Sequence, residues 1–198
     1  GSFKQLEIVS RLFDMLDSGN PLILIDPVMA DNGVLYKNFS DEFPAGMRQL
    51  CTKADVIVPN ITEAVFMLGE PYKEGPYTEN YIESLWRKLG EIGADKVVLT
   101  GVHFNDKQLG AATYDAANDS IGYYFADRIE GHYHGTGDVF GSALLAALLK
   151  GHKLSDAAAV AVDFTVESIH RTKMAGTDVR FGVDFENGLA KLAAQLTD

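Results

Sequence analysis

Three short apolar runs, PLILID (21–26), DVIVP (55–59) and KVVLTG (96–101), each follow a segment of helical periodicity, and none alternates as a water-facing strand would. A strand that is apolar on successive positions must be covered on both faces. Such strands, separated by helices, favour a mostly parallel central sheet with helices on each side, because a parallel crossover needs a long connection and a helix is the usual one. The expected helices are 3–16, with Phe3, Leu6, Val9, Leu12, Phe13 and Leu16 on one face, then about 44–53, 61–69 and a longer one within 74–94. The turn residues SGNP (18–21) and Pro27 bound the first strand. Past the third strand, LGAATYD (109–115) and IGYYFAD (121–127), joined by AANDS, read as an antiparallel hairpin. Helical patterns follow at 136–150, 154 to about 172, and 185–196. With no repeat, linker or low-complexity tract, residues 1–198 read as one domain, and Gly1-Ser2 as a cloning scar.

Composition narrows the function classes. The chain has 198 residues and 46% hydrophobic content, enough to bury a substantial core. Its net charge of -11, with no lysine or arginine block, removes the electrostatic footprint of nucleic-acid binding. Any phosphate must therefore be held locally, by backbone N–H groups, metal ions and a few cations. The single cysteine, Cys51, excludes a disulfide framework, argues for a reducing compartment, with cytoplasm the default, and reads as a small core residue. No run approaches the roughly 18 apolar residues of a membrane span.

In α/β folds of this kind, sites gather where the strands end. Four segments there carry chemistry. HGTGDVFG (134–141) runs directly into an apolar helix, so its glycines expose N–H groups and the positive end of the helix dipole to an anion. It is neither a P-loop, having no lysine, nor the dinucleotide fingerprint, since Gly135, Gly137 and Gly141 are spaced GxGxxxG. On these residues alone Asp138 is equally a first-turn carboxylate favoured by the dipole. Asp26 and Asp31, in LIDPVMAD after the first strand, can face one cleft and hold Mg²⁺ or its waters, though Asp31 also suits a turn. Asn60 and Glu63, in PNITE after the second, have the spacing of an N-cap and its capping-box partner, a local role that would account for both. Thr100 ends the third strand. His132 and His134 flank Tyr133 with no third metal ligand nearby and read as site walls or structural groups.

Taken together, DPVMADNGVLY, PNITEA, VVLTG and HGTGDVFGSAL resemble the signature segments of the ribokinase-like small-molecule kinases, and within them the pyridoxal kinases. The resemblance runs from about residue 21 to 172, and GTGD is its most specific element. It implies a three-layer α/β sandwich and ATP-dependent phosphorylation of the hydroxymethyl group of pyridoxal, pyridoxine or pyridoxamine. Asp138 would be the catalytic base, with the backbone of Gly135, Thr136 and Gly137 as the anion hole. Asp26 and Glu63 would organise Mg²⁺, Asn60 would assist, and Asp31, Tyr36, Thr100 and Thr136 would line the ATP site. A homodimer is implied, and a monovalent-cation requirement is left open. Ala30 replaces the family's usual glycine in DPVMGD, and Val58 the threonine often found before PN. The family ordinarily has about half a domain of strands and helices before the first helix seen here. The resemblance therefore implies that N-terminal strands bearing much of the pyridine pocket are missing, and that the chain by itself binds nucleotide weakly and phosphorylates vitamers poorly or not at all. Rival readings are a hydroxymethylpyrimidine kinase, whose group typically carries GTGC, a sugar kinase, and a non-catalytic nucleotide-binding or dimerisation fragment.

Overall fold

The computed structural model describes residues 1–16, 19 and 21–197. In chain order the elements are α1 (Phe3–Leu16), β1 (Leu24–Ile25), β2 (Ala30–Asp31), β3 (Val34–Leu35), α2 (Phe43–Cys51), β4 (Val56–Ile57), α3 (Ile61–Leu68), α4 (Glu79–Gly90), β5 (Lys96–Val102), β6 (Gln108–Asp115), β7 (Ser120–Asp127), α5 (Thr136–Leu149), α6 (Leu154–Ala175) and α7 (Leu189–Gln195). The main sheet runs β1-β4-β5-β6-β7. Its first three strands are parallel, and the β6–β7 hairpin continues it antiparallel from β5.

Alternate residues of the parallel strands feed two separate cores, which is why these runs are apolar throughout. On one face Ile25, Ile57, Val97 and Leu99 pack under α2, α3 and α4 with Met47, Val65, Leu85 and Trp86. On the other, Val56, Val58 and Val98 meet Phe140 and Leu144 of α5, Ala157 and Ala161 of α6, and Leu192 of α7. The three-layer sandwich implied by the resemblance, with helices on both faces of the sheet, is the architecture found. Leu99 is wholly buried in the central strand. Leu99→Ala is expected to lower unfolding stability by about 2–5 kcal/mol, measured in urea.

The local detail departs from the sequence reading in five places. β1 and β4 are each two residues long rather than strands over 21–26 and 55–59. An antiparallel hairpin, β2–β3, forms where only a loop was expected; its tip, Asn32 at φ +49 and Gly33 at φ +77, is the left-handed pair that Asn-Gly supplies. The 185–196 segment begins as a 3₁₀ turn at Glu186–Gly188 before α7. In α1 no residue is fully buried: Leu6, Val9 and Phe13 pack against the core, whereas Phe3, Leu12 and Leu16 are exposed. Two residues of the SGNP turn, Ser18 and Asn20, lie outside the described residues. Cys51 is a core residue as expected, its Sγ 3.9 Å from Met67 Sδ. No helix among the described residues is long and apolar enough to cross a membrane.

Candidate active site

Parallel pairing brings three strand ends to one rim. Val58 N donates to Ile25 O, so the chain after β4 stays beside β1. Thr100 N donates to Pro59 O at 3.0 Å, and Asn60 bridges to Thr100 in parallel register. Asp26, Asn60 and Thr100 thus stand next to one another. Beyond Thr100 the strand bulges through Gly101 at φ +74, and both residues face the cavity that opens there.

The second structural contribution is α5. Val139, Phe140, Ala143 and Leu144 anchor it on the sheet and carry its first turn to the same rim. Gly135 starts the helix at φ +78, and the first bond of the helical ladder runs from Val139 N to Gly135 O at 3.0 Å. The N–H groups of Thr136, Gly137 and Asp138 therefore precede that ladder. A methyl group on Gly137 would lie 3.8 Å from Asp26 Oδ2, which measures how closely α5 approaches β1.

A cavity of about 510 Å³ results. Asp26, Asp31, Tyr36, Asn60, Glu63, Thr100, Gly135, Thr136, Gly137 and Asp138 all line it. The local roles left open by the sequence are present alongside that placement. Asn60 Oδ1 accepts from Glu63 N and Glu63 Oε2 from Asn60 N, both at 2.9 Å, completing the capping box. The same two side chains also brace the β1–β2 connection: Glu63 Oε1 accepts from Met29 N (3.1 Å) and Asn60 Nδ2 donates to Ala30 O (2.8 Å). Asp31 Oδ1 accepts from Asn32 N at the hairpin tip. Ala30 is fully buried, so its Cβ is accommodated where glycine was the expected residue.

Burial shapes the electrostatics. The Asp26 carboxyl is pushed up to about 6, first by desolvation and then by the neighbouring Asp138. Glu63 is pushed up to about 8 by burial, with Asp26 adding to the shift while the N–H groups of Asn60 and Met29 oppose it. Tyr36 is raised by burial and then by Asp31. Carboxylates held so close with so little solvent are poised to take up a cation or a proton. Among the described residues no group of three or more His, Cys, Asp or Glu converges on a single metal position.

Several walls of the cavity escaped the sequence reading. Leu109 and Gly110 come from β6, Val162, Thr165, Val166 and Ile169 from α6, and Arg128 from the connection after β7. Arg128 is the single lysine or arginine among the described lining residues. The available signal was its position ten residues before Asp138, in DRIEGHYHGTGD. His132 and His134 also line the cavity, ring centroids 4.8 Å apart and edge to face.

Residues 1–181 match the family model described as phosphomethylpyrimidine kinase. The hydroxymethylpyrimidine/phosphomethylpyrimidine kinase of Staphylococcus aureus (strain MSSA476) is 30% identical over 154 residues, 77% of this chain and 54% of the relative. The pyridoxine kinase of Bacillus subtilis (strain 168) is 30% identical over 149 residues, 74% of this chain and 53% of that protein. A crystal structure from Bacteroides thetaiotaomicron, described as a phosphomethylpyrimidine kinase in a form with pyridoxal, superposes with a TM-score of 0.91 at 35% identity, covering 98% of this chain and 68% of its own. The chain thus spans about half the length of the curated relatives it matches.

Proposed function

The chain belongs to the phosphomethylpyrimidine kinase family, and on that premise we propose that it transfers the γ-phosphoryl group of ATP to the hydroxymethyl group of pyridoxal, pyridoxine or pyridoxamine. One observation carries the reading: Asp138, in the first turn of α5, lines a single cavity with Asp26 and the ends of three parallel strands. In this reading Asp138 takes the hydroxyl proton as the substrate oxygen attacks phosphorus and the bond to the ADP oxygen breaks. The backbone N–H groups of Gly135, Thr136 and Gly137 stabilise the charge on the transferred group. Phosphoryl transfer depends mainly on positioning and electrostatics, which a helix N-terminus and fixed carboxylates can supply. Asp31, Tyr36, Asn60, Thr100 and Thr136 line the path assigned to the nucleotide.

The donor set fits Mg²⁺. Asp26 and Glu63 offer hard oxygen atoms, their ionised forms are disfavoured by burial, and an ion that keeps several waters needs no third carboxylate. Bound there, Mg²⁺ would neutralise phosphate charge. Arg128 adds a cation to a wall otherwise rich in carboxylates, and we assign it to the ATP phosphates. Arg128→Ala is expected to weaken MgATP binding about tenfold by calorimetry, the loss of one exposed charge-assisted contact. Unchanged affinity would remove Arg128 from the site.

The acid at position 138, where hydroxymethylpyrimidine kinases typically carry cysteine, favours the B6 vitamers, and a similar structure is described with pyridoxal. The alternative, hydroxymethylpyrimidine, is favoured by the family description and by the name of the S. aureus relative. A kinase assay of the full-length protein with MgATP against the three vitamers and hydroxymethylpyrimidine separates them. Phosphorylation of the vitamers is expected; product from the pyrimidine alone would overturn that choice, and ATP binding without any product would favour a non-catalytic nucleotide binder.

A further inference from the structure

Gly135 sets the direction of the anion loop at φ +78 and receives no side-chain cap. Beside it passes a segment 47 residues further along. A methyl group on Gly135 would lie 4.0 Å from Gly182 Cα, and one on Gly182, itself at φ +91, would lie 3.8 Å from His134 O. Each glycine therefore faces the backbone of the other segment across a gap that one methyl group would just fill.

The chain beyond Gly182 is tied to α6 by a polar group set in an apolar surround. Arg171 Nε donates to Asp184 O at 2.9 Å and Nη2 to Ser168 Oγ at 2.8 Å, while Nη1 lies 3.7 Å from Glu167 Oε2. Thr172 Oγ1 accepts from Asp184 N at 2.8 Å and donates to Ser168 O. Both backbone polar groups of Asp184 are held, two residues from Gly182. Val183, between them, is buried in the α5–α6 core. A methyl group on Gly188 would come within 2.4 Å of Arg171 Nη2, so the chain also passes directly against the guanidinium. Ser168 and Thr172 are essentially inaccessible. A buried polar group costs free energy unless paired, so this cluster fixes one arrangement of the segment.

We propose that Arg171, with Thr172, is a positioning residue for the anion loop: the Arg171–Asp184 tie holds Gly182 against Gly135 and so sets where the first N–H groups of α5 point. The proposal rests on the kinase reading for its consequence, but its structural part can be tested separately.

The experiment combines amide hydrogen exchange on the chain with kinetics under the acceptor assay above. In Arg171→Ala and in Thr172→Val, exchange is expected to rise at least about fivefold in peptides spanning 131–140 as well as 176–188, with α2, α3 and α4 unchanged. Thr172→Val keeps the side-chain shape and serves if the arginine variant folds poorly. In turnover, kcat is expected to fall about tenfold with KM for ATP little changed, because the loop acts on the transferred group. Arg171→Lys, which can retain one of the two bonds, is expected to recover part of both effects. Loosening of 176–188 with 131–140 unaltered would overturn the proposal while leaving the kinase reading intact. Looser exchange in 131–140 with no turnover by the full-length parent would support the tie and count against the kinase reading alone.

Discussion

Asp138→Asn is expected to lower phosphoryl transfer by about 10²–10⁴-fold, the range for losing a general base, while MgATP affinity measured by calorimetry stays within about twofold. The substitution keeps volume and shape, so the first turn of α5 and the N–H groups of Gly135, Thr136 and Gly137 remain in place. What disappears is the one carboxylate of that turn. The helix dipole favours a negative charge there by about 0.3–1 kcal/mol at an exposed position, but Asp138 also sits close enough to Asp26 to push its carboxyl upward. These contributions oppose each other, and the thermal midpoint should barely move. A base and a first-turn carboxylate of purely structural role are thereby distinguished in turnover, which only the loss of a base lowers. Turnover within about tenfold of the parent would place the proton acceptor elsewhere.

The strand-end segments could be read from the sequence because each is announced locally. The apolar runs carry the sheet, Asn60 and Glu63 mark the start of α3, and Gly135 to Asp138 mark the start of α5. Their convergence was open to inference because parallel strands share one carboxyl end. What stayed hidden is what depends on distant contacts. Arg128 and the α6 residues enter the cavity only after the β6–β7 hairpin and α6 have packed on the sheet, and no periodicity distinguishes a cavity wall from a core face. The β2–β3 hairpin had a local signal in Asn32-Gly33, but its strands are two residues each, too short for alternation to appear. Its position depends on Thr62, 29 residues away, whose Oγ1 accepts from Gly33 N at 3.0 Å. The tie through Arg171 is of the same kind: nothing near Arg171 in sequence indicates that its partner will be a backbone carbonyl 13 residues on.

Asp26→Asn is expected to stabilise the metal-free protein and to impair the proposed Mg²⁺-dependent reaction. Asp26 has its carboxyl raised from 3.8 to about 6, mainly by burial. A folded-state value above the unfolded one means that the stability associated with the protonated acid is fully present below about 3.8 and is lost as pH rises through about 6. At pH 7.5 the native state therefore holds an ionised carboxylate at a penalty of at most about 3 kcal/mol. Asparagine has no such ionisation. The advantage of the variant should be small near pH 4, grow up to about pH 6 and then level off, appearing in thermal scans as a rise of several degrees at pH 7.5. Added Mg²⁺ should raise the midpoint of the parent by offsetting the same charge, and should do less for the variant. If the variant is no more stable at pH 7.5 than at pH 4 relative to the parent, Asp26 is not held at a penalty and the cation assignment loses its electrostatic basis. The opposing outcome, higher stability with lower turnover, is what a carboxylate retained for binding a cation rather than for folding should produce.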